Sequence, residues 1–130
     1  MRKYRPWRTT TTSSSRYDEA LDWYKRSLEI NEELGDRSGM AFSISQLGML
    51  ATKQGRPEEG LRLNLQSLAI RGELQVPEVR IDLDWLHRQR ELLGEERFGE
   101  LLREHVGDEG AEAVLGLVDQ AGTISERGTE

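Results

Sequence analysis

The sequence predicts an all-α fold of antiparallel helix pairs stacked one on the next, and three observations lead to it. Residues 40–70 read as two amphipathic helices around a turn, with Phe42, Ile44, Leu47, Leu50 and Ala51 at helical rather than alternating spacing. Segments 16–34 and 56–74 align with eight identities in nineteen positions, forty residues apart. Self-similarity at such a period marks stacked helical repeats, although a Leu/Glu-rich composition raises the count somewhat. Leu, Glu, Arg and Ala also dominate the middle of the chain, a mix that favours helix.

The elements follow in order. Residues 1–15 are basic and then Thr/Ser-rich, with no apolar block of signal-peptide length, and read as a flexible leader. A basic anchor for an acidic partner is the second reading of that stretch. A helix over 16–34 places Tyr17, Ala20, Leu21, Tyr24, Leu28 and Ile30 on or near one face. The next helix begins near Met40 and ends at Gln54-Gly55, glycine accepting a left-handed terminus without steric cost. Pro57, Glu58 and Glu59 open its partner: proline fits a first turn and acids suit the positive end of the helix dipole. Leu61, Leu65, Leu68 and Ala69 form that helix's apolar stripe, flanked by Leu63 and Ile70.

Beyond Arg71 the copy degrades. Val76-Pro77-Glu78 starts a helix whose stripe is Val79, Leu83, Leu86, Leu92 and Leu93, with Trp85 nearby. Residues 97–102 then echo 16–21, with bulky Leu101 where the earlier copies have Ala20 and Gly60, as expected of a capping unit. Gly107 and Gly110 are expected to break the chain. A last short helix over 106–121 is expected to face Val114, Leu115, Leu117 and Val118 inward, and 122–130 is expected to be disordered.

Composition excludes several function classes. The 130 residues suffice for one domain with a modest core. Without cysteine, neither a disulfide framework nor a thiolate metal site can form, which fits a reducing compartment, and a cytoplasmic location is expected. No apolar run approaches the ~18–20 residues of a membrane span. The net charge is −6, yet Arg2, Lys3, Arg5, Arg8 and Arg16 all precede the first acid, Asp18. The helical body is therefore distinctly acidic and unsuited to nucleic acid, where phosphate contacts need clustered cations. No nucleophile motif or phosphate loop occurs, so neither catalysis nor a cofactor is expected. Asp84 and His87 stand at i, i+3, but Asp84–Arg88 at i, i+4 suits an ordinary surface ion pair, and no metal is expected.

Ile44, Leu47-Gly48 and Ala51, followed by Pro57, Gly60, Leu61 and Ser67, resemble a tetratricopeptide repeat. Ala20 and Ser27 match its small positions in the preceding helix, and Tyr17 and Tyr24 its aromatic ones. The forty-residue period exceeds the ~34 usual for the family, with the surplus in 33–39, as in the longer-period subclass of signalling regulators and adaptors. The resemblance implies a right-handed α-solenoid over 16–105: a second helix, one full repeat and a degenerate capping unit. It implies a concave groove lined by Phe42, Ser45, Met49, Thr52 and Lys53, then by Ile81, Asp84, Arg88 and Glu91. Ser45 and Met49 stand where some members hold chaperone C-terminal carboxylates with Lys and Asn, so that activity is not expected. The expected role is a non-catalytic scaffold binding a peptide or protein segment. The alternative is self-association through the first helix, which enters the repeats without a pairing helix before it. That helix's open face is expected to be covered by another chain or to mark the remainder of a longer array, the latter favoured.

Overall fold

A computed structural model describes the backbone of residues 13–128 and the side chains of 16–121. Five helices succeed one another: α1 (Ser13–Leu34), α2 (Arg37–Lys53), α3 (Pro57–Leu74), α4 (Val79–Leu93) and α5 (Glu95–Gly128). Each packs on the next, and α2 also touches α4 across the stack. This is the contact pattern of helix hairpins laid side by side. Among the described residues there is no strand.

The helix ends follow one rule. Gly35 and Gly55 take positive φ (71° and 84°) just past α1 and α2, and the next N–H turns back to a carbonyl five residues earlier. These bonds are Asp36 N to Asn31 O at 2.9 Å and Arg56 N to Ala51 O at 2.9 Å. Gln75 does the same after α3 with φ 57°, a left-handed conformation that costs a side-chain-bearing residue what it does not cost glycine. Asp36 caps α2, its carboxylate accepting from Gly39 N at 2.9 Å. That cap moves the start of α2 from Met40 to Arg37, so residues 37–39 form its first turn.

The main core lies between α3, α4 and α5, where Leu61, Leu86, Phe98, Leu102 and Val118 are fully enclosed. Each such side chain contributes about 1.5–3 kcal/mol by leaving water. On the other side of α3, α2 buries Ala41, Ile44, Leu47, Leu50 and Ala51.

Several expectations are corrected. Of the two glycine breaks only Gly107 is one, with φ 79° and ψ 177° inside α5; Gly110 stays helical. The last helix does not stop at Ala121 but runs to Gly128, because 122–128 continue its backbone hydrogen bonding without a stop residue that is obeyed. Ala111 and Ala121 are buried with Val114 and Val118, while Leu117 faces outward, being out of phase with them on the helix. Leu92 and Ile30 likewise point to solvent and not into the packed stripes of α4 and α1. The leader expected over 1–15 ends earlier, since 13–15 form the first turn of α1; the readings placed on 1–12 lie outside the described residues.

Candidate functional site

The site begins with two glycines. Gly48 and Gly60 meet where α2 crosses α3, and a Cβ on Gly60 would stand 2.1 Å from Thr52 Oγ1 and 2.9 Å from Gly48 O. A Cβ on Gly48 would stand 2.5 Å from Asn64 Oδ1. Only hydrogen fits at either position, and the two backbones approach closely because of it.

A buried polar network then fixes α4 onto this pair. Asp82, wholly enclosed, accepts from Asn64 Nδ2 at 2.8 Å, Ser67 Oγ at 2.8 Å and Arg71 Nη1 at 3.0 Å. Gln89 Nε2 donates to Thr52 Oγ1 and Asn64 Oδ1, both at 2.9 Å, and Thr52 passes its own proton to Gly48 O at 2.8 Å. These bonds tie α2, α3 and α4 into one rigid block. Partly satisfied polar cores are costly, and one atom here, Gln89 Oε1, is buried without a hydrogen-bond partner.

Above this block, between the C-terminal end of α2 and the exposed side of α4, lies an open groove of about 870 Å³. Thr52, Lys53, Gly55 and Pro57 line it from the α2 side and Asp84, Trp85, Arg88 and Leu92 from α4, and Tyr17 of α1 also lines it. Among the described residues none of Lys53, Asp84 and Arg88 enters an ion pair. The Asp84–Arg88 pair that the spacing allowed is therefore not made, and all three charges stay available to a ligand. His87 instead lies 3.6 Å from Glu91.

Of the residues expected to line a groove, the fold brings Thr52, Lys53, Asp84 and Arg88 together. Phe42 stands apart, about 16 Å from Lys53 along the helix axis at 1.5 Å per residue, with its ring against the edge of Tyr24 at 6.4 Å. Ser45 is 3% exposed and presents no surface, and Met49 is half-buried. Ile81 and Glu91 are exposed on α4 outside the groove lining. Thr52 contributes a wall but little chemistry, since its hydroxyl is already engaged on both sides.

Sequence reasoning missed Trp85, Leu92 and Tyr17 as lining residues. A signal for two of them was present: Trp85 and Leu92 are seven residues apart, on the same helical face as Asp84 and Arg88. Among the described residues no three of His, Cys, Asp and Glu gather where a metal could sit, and no helix is long and apolar enough to cross a membrane.

Helix hairpins stacked side by side define a helical-repeat fold. The family model described as tetratricopeptide repeat matches residues 11–73, just under half of the chain, and this segment is similar to that family. The match takes in α1, α2 and nearly all of α3, the stretch in which Gly48 and Gly60 set the crossing. No curated protein and no solved structure matched the chain. Tetratricopeptide repeats generally mediate protein–protein interaction and are generally non-catalytic.

Proposed function

We propose that the chain is a non-catalytic scaffold that holds a peptide or protein segment in the groove between α2 and α4. The observation that carries this reading is the composition of the groove: three unpaired charges beside two aromatic rings and a leucine, on helices locked by a buried network. Lys53 and Arg88 supply two cations against the single carboxylate of Asp84. In a body whose net charge is negative, this local excess suits a segment that offers a carboxylate next to an apolar side chain. Trp85, Tyr17 and Leu92 would take the apolar group.

Rigidity is the mechanism. The groove walls are positioned before binding, so little ordering entropy is lost on the scaffold side when the ligand arrives. A partner inside the cytoplasm is the expected setting.

The test is selection of a displayed random peptide library on the immobilised full chain, followed by titration of the enriched peptides. Enriched peptides are expected to carry acidic and apolar residues together, and Lys53→Glu/Arg88→Glu is expected to weaken them at least tenfold with the helical circular dichroism unchanged. Equal affinity for parent and double variant would overturn the assignment of the groove.

A further inference from the structure

Charge is unevenly placed along the groove between α2 and α4. The two helices run parallel. Near their starts Ser67 bonds both Ala41 O at 3.0 Å and Asp82 at 2.8 Å, and near their ends Gln89 bonds Thr52 at 2.9 Å. Lys53, the residue after Thr52, therefore stands level with the last turns of α4, more than one helical turn beyond Asp84. Among the described residues, Lys53, Asp84 and Arg88 are the charged side chains of the groove lining, all exposed and none in an ion pair. Two cations thus share one end. A lone carboxylate holds the other, about 6 Å back along α4 from Arg88 at 1.5 Å per residue.

We propose that Asp84 is the specificity-determining residue of the groove, and that the segment bound there carries a base as well as an acid. This rests on the groove reading above and narrows its ligand: a carboxylate over Lys53 and Arg88, and a Lys or Arg side chain over Asp84. A segment with acids at both places would set its second carboxylate against Asp84. An all-basic segment would face the two cations. The groove therefore discriminates by repulsion as well as by attraction, as selective charged sites do. A separation of about 6 Å is two residues of an extended segment or four of a helix, and either places the base and the acid on one face.

The test is selection of a displayed random peptide library on the full chain and, separately, on its Asp84→Lys and Asp84→Asn variants, followed by titration of synthetic copies of the enriched peptides. Peptides selected on the parent are expected to carry Lys or Arg at that spacing from Asp or Glu. Exchanging the peptide's base for Glu is expected to weaken binding to the parent about fivefold, the order of an exposed ion pair. The same exchange is expected to cost nothing on Asp84→Asn and to strengthen binding to Asp84→Lys, with circular dichroism alike in all three proteins. Peptides that depend on Lys53 and Arg88 but lack the base would overturn this inference and leave the groove reading standing. So would an exchange that costs the same on the parent and on Asp84→Asn. Peptides indifferent to Lys53→Glu/Arg88→Glu would overturn both.

Discussion

Asp82→Ala is expected to be the most damaging single substitution in the polar interior. The carboxylate is wholly enclosed and accepts three hydrogen bonds, from Asn64, Ser67 and Arg71. Its loss leaves the Arg71 guanidinium, itself 5% exposed, with the Glu78 carbonyl at 3.3 Å as its remaining partner on that side. Ser67 can redirect its proton to Ala41 O at 3.0 Å, but Asn64 Nδ2 cannot so readily. Breaking a buried ion pair by removing one partner costs about 3–5 kcal/mol, mostly the penalty of the stranded charge. At about 4 °C per kcal/mol, the melting temperature should fall by about 12–20 °C. Urea titration followed by circular dichroism measures the free energy directly. Arg71→Met/Asp82→Leu removes both charges, and is expected to recover at least about 2 kcal/mol of the loss. A cost below about 1 kcal/mol for Asp82→Ala, or a double variant as unstable as the single one, would refute the reasoning.

Other perturbations probe the same frame. Gly60→Val should cost about 1–3 kcal/mol by overpacking, since even its first carbon would overlap Thr52 Oγ1, and a rise in the urea midpoint would contradict the close crossing. Leu47→Ala, at a position 6% exposed on the inner side of α2, should cost about 2–5 kcal/mol in thermal or urea unfolding. Gln75→Gly should stabilise by up to about 1 kcal/mol, glycine relieving the left-handed terminus of α3, and its melting curve should move upward.

The α2–α3 hairpin was legible because its determinants are local: Gly55 and Pro57 mark the turn, and Gly48 and Gly60 stand where a side chain would collide. The polar network was not legible, because it joins residues that meet only after stacking. Asn64 and Asp82 are eighteen positions apart and Gln89 and Thr52 thirty-seven, so each reads from sequence as a surface residue. A trace existed in Asn64, Ser67 and Arg71, which follow helical spacing beside Leu61, Leu65 and Leu68. The groove was half legible. The resemblance that implied Thr52, Lys53, Asp84 and Arg88 agrees with the lining near Gly55, but Ser45 is enclosed and Phe42 is not among the lining residues.

The groove between α2 and α4 is tested most directly by nuclear magnetic resonance on the full chain titrated with a library-selected peptide. The indole N–H of Trp85 reports the groove, and that of Trp23 reports the outer face of α1. The account predicts a saturable shift of the Trp85 indole together with the backbone amides of Lys53, Asp84 and Arg88, with Trp23 unmoved. A peptide that binds while Trp85 stays still would contradict it.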